Sequence, residues 1–219
     1  MASTPILRES VPERAWGSPI VDFSERLVSA VALIAASPVL CASAATLAIL
    51  SRRTPLIAHR RVGWRGSPLW MLKLRTMWDN ETRDRRRSGW IEYIDDQTGP
   101  EQKGADDPRV PNAFARFCRR HSIDELPQLW HVVRGEMSLV GPRPLTAKEL
   151  RRHYGEDAEE ILQAKPGIAG LWQICGRNRL TYAERREFDL ELVRSRSLRI
   201  YIRVLIRSLV EVWNAANSW

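Results

Sequence analysis

Two adjacent carboxylates, Asp124 and Glu125, open the stretch DELPQLWHVVRGEMSLVGPRP in a chain otherwise rich in arginine. Ser122 with Glu125 three residues on matches a capping box, whereas a cap at Asp124 would keep Pro127 within the first turn. Both arrangements predict a helix start. A helix start stabilises an anion, either a carboxylate or a phosphate beside it. Neighbouring helical residues project about 100° apart, so the pair can reach one bound group from two directions. One acid can attack phosphorus, as aspartate does in covalent phosphoryl transfer, while the other holds magnesium, whose shell water and phosphate oxygens complete. Arg143 lies between Pro142 and Pro144, which stiffen its backbone and aim its fork for paired contacts to phosphate. Arg119 precedes the acids by a little over one turn, and Arg177 follows Gly176 in a second glycine-containing loop, CGRN. Guanidinium groups around an acidic pair suit phosphoryl transfer from a nucleotide. The plain alternative is a pair of solvated acids at a helix start.

The remaining motifs narrow the chemistry. There is no Walker loop, no GxGxxG after a strand, no HExxH and no GxSxG. His59, His121, His131 and His153 are scattered without ligand spacing, and Cys41, Cys118 and Cys175 form neither a CxxC pair nor a disulfide framework. The chain has 219 residues, 44% of them hydrophobic, with a formal net charge of +8. That is enough for one core and favours an anionic partner: nucleic acid, lipid headgroups or a phosphorylated small molecule.

The elements that position these groups are predicted as follows. Residues 1–21 read as an irregular leader. From Leu27 to Ser51 no residue is charged, and arginines flank both ends. This is about the length of a membrane-spanning helix. Ser37 and Pro38 interrupt its middle, where proline removes a backbone donor and a serine hydroxyl can satisfy the carbonyl it frees. A buried core helix and a straight span are alternatives. Cationic flanks on both sides favour a bent helix over 22–53 that enters one leaflet and returns to the same side. Residues 56–78 predict two strands around a turn at Gly63–Pro68, and Asp79 to Asp107 a charged, solvated loop. Residues 112–120, with Phe114 and Phe117 as core contacts, 149–163 and 182–193 predict helices. From Arg194 to Trp213, Arg196, Arg199, Arg203 and Arg207 recur on one helical face. Leu198, Tyr201, Ile202, Leu205, Leu209 and Val212 fill the other. Such a basic amphipathic helix suits the headgroup boundary of an anionic membrane. The expected fold is α+β and mostly helical: a re-entrant membrane helix, a small cytosol-facing catalytic domain over 54–219 with short strands, and amphipathic interfacial helices.

These residues resemble the polyprenyl-phosphate phosphoglycosyl transferases, or bacterial sugar transferases. The likeness is carried by Lys73-Leu74-Arg75-Thr76-Met77, Asp107-Pro108-Arg109, DELPQ through GPRP, and KPGIAGLWQICGRN from Lys165 to Asn178. It implies a re-entrant helix broken at Ser37-Pro38, on the cytoplasmic face of the bacterial inner membrane. It implies Asp124 as nucleophile toward the sugar-bearing phosphate of a UDP-sugar, with UMP released, and Glu125 as the Mg²⁺ ligand. Undecaprenyl phosphate, or another polyprenyl phosphate, would then accept the phosphosugar, as the first membrane step of exopolysaccharide, capsule or O-antigen assembly. Arg119, Pro142, Arg143 and Pro144 would line the phosphate site, with Lys73, Arg75 and Arg177 as further substrate contacts. Membrane lipids and a possible homodimer complete the expected partners, without nucleic acid. Because the chain begins just ahead of the re-entrant segment, the small monotopic type is expected. His131 stands where Asn is usual, Ala169 replaces Thr, Leu192 replaces a Tyr, and Tyr182-Ala183-Glu184 replaces Trp-Glu. The competing readings are a basic nucleic-acid-binding protein, which must bury the uncharged segment, and a membrane scaffold with a degenerate site.

Overall fold

A computed structural model of the chain describes residues 18–78, 85–95, 109–110, 112–176, 180–195 and 197–214. The leader before residue 18, Arg177, Arg196, Asp107-Pro108 and the side chain of Trp213 lie outside this set.

Helix α1 runs from Pro19 to Ser51. Ser18 caps it, accepting from Val21 N at 3.3 Å, and Pro19 stands in the first turn, where no amide partner is lost. The helix continues through Pro38. Ser37 Oγ donates to Ile34 O at 2.7 Å, satisfying the carbonyl that the proline cannot reach. Only 11% of its most apolar window is buried, so α1 is not a core helix. It touches the rest of the protein near both ends. Glu25 accepts from Ser138 Oγ, Leu139 N and Tyr201 Oη, and Asp22 pairs with Lys165 at 2.5 Å. Leu47, at the other end, packs with Leu74, Val110, Ala115 and Cys118.

The expected strand pair forms: β1 (Leu56–Val62) and β2 (Pro68–Leu74) are antiparallel, with a short 3₁₀ turn between them. The segment expected to be a solvated loop contains a hairpin, β3 (Arg85–Ser88) and β4 (Ile91–Ile94), turned at Gly89 with φ +58°. The sheet order is β2-β1-β4-β3, with β4 parallel to β1. Arg85-Arg86-Arg87 therefore belong to an outer strand.

Helix α2 (Ala113–Arg120) is capped by Asn112, whose Oδ1 accepts from Ala115 N at 2.7 Å. Phe114 packs on the core, but Phe117 is exposed and meets the His121 ring at a 50° tilt, contrary to its expected core role. A 3₁₀ segment, Ile123–Gln128, carries the carboxylates and leads into α3 (Leu129–Val133). β5 (Ser138–Val140) pairs in parallel with β6 (Gly167–Ala169). Between them the predicted single helix is broken into α4 (Ala147–Glu149), a π turn, a 3₁₀ turn and α5 (Ala158–Ile161). Gly155, at φ +51°, marks the break.

Helices α6 (Leu171–Cys175), α7 (Tyr182–Ser195) and α8 (Leu198–Asn214) finish the fold. The basic segment is thus two helices. Arg194 belongs to α7 and pairs bidentately with Glu160. On α8, Ile200, Tyr201 and Val204 face the core beside Val140, Ala169, Leu171 and Leu192. Tyr201 is therefore not on the outward face. Leu198, Ile202, Ile206, Leu209 and Val210 are exposed, next to exposed Arg203 and Arg207.

Candidate active site

The 3₁₀ segment begins differently from either predicted cap. Ser122 is left-handed at φ +54° and its hydroxyl caps nothing, while Asp124 lies inside the segment. Pro127 supplies no N–H to the carbonyl four residues back, which favours the tighter turn. The acids still occupy the first turn.

Asp124 is 7% exposed, with Oδ2 3.5 Å from the Thr76 hydroxyl, the long limit of a hydrogen bond. Glu125 Oε1 accepts from Lys73 Nζ at 2.6 Å. Lys73 lies near the end of β2, and α2 brings Arg119 to the same place from its last turn. Burial pushes the Asp124 carboxyl up to about 6, opposed by Lys73 and Arg119 and reinforced by the Glu125 charge. Burial acts on Glu125 too, but Lys73, Arg143 and Arg119 together hold it below the ordinary carboxylate range. Two neighbouring acids thus differ in proton affinity, the arrangement expected where each has its own task.

Arg143 is exposed on the loop after β5, with its guanidinium 5.5 Å from the centre of the Trp172 ring. That loop is fixed from below. Gly141 N donates to Ala169 O at 2.8 Å, and Gly167 N to Pro142 O at 2.9 Å. The strands approach so closely here that a Cβ on Gly141 or Gly167 would collide with the opposing backbone. Buried Asp189 lies within reach of the Arg143 charge, and its Oδ2 accepts from Tyr154 Oη at 2.7 Å. Sequence spacing gave no sign of Asp189 or Tyr154, because the contact closes across distant segments.

Arg75 departs from its expected role. It is buried, donating to Glu92 Oε2 at 2.8 Å and to Thr54 O at 2.7 Å, away from the dyad. Lys73 and Arg75 would share a face had the strand continued, but β2 ends at Leu74. The structure thus brings together Asp124, Glu125, Lys73, Arg119 and Arg143, while Pro142 and Pro144 are buried beside Arg143. Among the described residues no group of three or more His, Cys, Asp and Glu gathers. The two site carboxylates match what magnesium takes from a protein when phosphates fill the rest of its shell, so the donor set fits this ion.

The bacterial sugar transferase family model matches residues 17–215, and the chain belongs to this family. It is 36% identical over 208 residues to the exopolysaccharide production protein ExoY of Sinorhizobium fredii, covering 92% of this chain and 90% of that protein. It is 48% identical over 102 residues to the undecaprenyl-phosphate galactose phosphotransferase of Salmonella typhimurium, covering 47% of this chain and 21% of that one. It is 31% identical over 203 residues to the UDP-glucose:undecaprenyl-phosphate glucose-1-phosphate transferase of Xanthomonas campestris, covering 89% and 39% respectively.

Proposed function

We propose that this protein transfers a sugar-1-phosphate from a UDP-sugar to a polyprenyl phosphate such as undecaprenyl phosphate. The observation that carries this reading is the buried Asp124 beside the Lys73–Glu125 pair, with Arg119 and Arg143 converging on them. Ionised Asp124 attacks the sugar-bearing phosphorus. The bond from that phosphorus to the bridging oxygen breaks, and UMP leaves with the electron pair. An oxygen of the polyprenyl phosphate then attacks the same phosphorus and releases the Asp124 carboxylate, giving a polyprenyl diphosphate sugar. Arg143 and Arg119 balance phosphate charge through both steps, and Lys73 keeps Glu125 ionised. Held at Glu125, Mg²⁺ would supply charge neutralisation for the diphosphate.

The acceptor is a lipid, and α1 provides the membrane contact. Both of its ends are fastened to one folded domain, through Glu25 and Asp22 at the start and Leu47 near the finish. A helix held in this way supports entry into one leaflet over a crossing. The Ser37–Ile34 bond covers the backbone at its middle. The exposed apolar stripe of α8 rests on the same cytoplasmic leaflet, with its arginines at headgroup level.

The test uses purified protein with Mg²⁺ and UDP-sugars labelled in the sugar phosphate, without acceptor. Label should become attached to the protein with an equal amount of UMP, and undecaprenyl phosphate should then remove it. EDTA should silence both steps. Failure of every donor to label the protein would refute the reading.

A further inference from the structure

The segments that carry the site meet at one buried side chain, His131 on α3. β2 is an outer strand among the described residues, so amides on its open edge have no strand partner among them. Leu72 N, adjoining Lys73, donates instead to His131 Nε2 at 3.1 Å. An acceptor at Nε2 places the imidazole proton on Nδ1, which donates to Glu136 Oε2 at 2.6 Å. Arg134 holds the other oxygen of that carboxylate at 2.9 Å. The His131 carbonyl accepts from Glu136 N and Met137 N at 2.9 and 3.2 Å, turning the chain into β5 and so toward Arg143. The dyad lies just upstream on the same continuous segment. His131 therefore ties the Lys73 strand to the chain bearing Asp124 and Glu125, and to the start of the strand leading to Arg143.

We propose that His131, its tautomer set by Glu136, is a positioning residue for the transfer reaction, fixing the spacing of Lys73 from Asp124 and Glu125. This rests on the function proposed above. His131→Phe keeps an aromatic ring of similar size but removes the acceptor, freeing the edge of β2 to shift. His131→Gln places an amide oxygen near the position of Nε2 and restores the acceptor alone.

The experiment measures single-turnover labelling of the full-length protein in detergent with Mg²⁺ and labelled UDP-sugar, together with amide hydrogen exchange at Leu72. His131→Phe should lower the labelling rate constant at least about tenfold, since displacements on the order of 1 Å have such effects. The labelled fraction should remain that of the parent, and His131→Gln should recover the rate to within about threefold. A fall in labelled fraction with an unchanged rate constant would make His131 a purely structural residue and overturn the proposal. A parent protein that never labels would instead remove the proposed function. The exchange measurement separates the two failures, because His131→Phe must still speed Leu72 exchange at least about tenfold while His131→Gln does not. Equal exchange in all three proteins overturns the inference whatever the activity.

Discussion

Lys73–Glu125 and Arg75–Glu92 are ion pairs whose cations stand two residues apart in one chain segment, yet they do opposite things. Lys73 and Glu125 remain 24% and 33% exposed at a separation of 2.6 Å. Arg75 and Glu92 are 3% and 0% exposed at 2.8 Å. The open pair also feels the charges of Arg143 and Arg119, so cations from three segments act on Glu125. The sealed pair joins the end of β2 to β4, and its guanidinium also bonds Thr54 O just after α1. A sealed ion pair adds little net stability over an apolar one, but losing one partner strands a buried charge. Exposure, more than residue type or separation, distinguishes the open pair from the sealed one.

The largest effect expected is at the open pair's neighbour. Asp124→Asn removes the carboxylate proposed as nucleophile while preserving shape, so UMP release should fall at least about 10³-fold. Retention of near-parental turnover would displace Asp124 as nucleophile. Next comes the sealed pair. Arg75→Met removes the guanidinium 2.8 Å from buried Glu92, at a loss of about 3 to 5 kcal/mol. The thermal midpoint should then fall on the order of 10 °C, while molecules that stay folded keep the parental labelling rate. A stable but inactive Arg75→Met protein would return Arg75 to the substrate site and break the contrast. Lys73→Met should do the reverse, lowering the labelling rate about 10²-fold through lost electrostatic preorganisation. Its thermal midpoint should barely move, because a partly exposed pair contributes under about 1 kcal/mol.

These two pairs also show what the sequence makes legible. Asp124-Glu125, the proline-flanked Arg143, the uncharged Leu27–Ser51 run of α1 and the β1–β2 pair could be read because each is local: adjacency, a flanking residue or a composition run identifies it. Lys73 and Arg75 could not be told apart, since strand parity places them on one face and only the end of β2 at Leu74 separates them. The β3–β4 hairpin was missed because one inward position of β4 is Glu92, whose charge reads as solvated until Arg75 is placed against it. Asp189 under Arg143, and His131 on Leu72, are contacts closed by the fold between remote segments. Tyr201 looked like part of a lipid-facing stripe, but its hydroxyl reaches Glu25 of α1. Periodicity identified the apolar residues of α8 without showing which of them face protein.

The smallest effect expected is a displaced pH profile, and it discriminates between the pairs most sharply. As the proposed nucleophile Asp124 must be ionised, and burial holds its carboxyl near 6, with Lys73 the chief influence pulling it down. Activity should therefore be full well above pH 6 and lost as pH falls through it, the acid limb reporting the protonation of Asp124. Lys73→Met removes the opposing charge and leaves burial and the Glu125 carboxylate to act, so the limb should move upward by about one pH unit. Lys73, Glu125 and Arg119 are the charges that act on Asp124, and Arg75→Met changes none of them, so its limb should coincide with the parent's. The measurement is kcat/KM for the UDP-sugar between pH 5 and pH 9 in all three proteins. An unmoved limb in Lys73→Met would mean that Lys73 orients Glu125 without controlling Asp124, and the open pair would then differ from the sealed one in exposure alone.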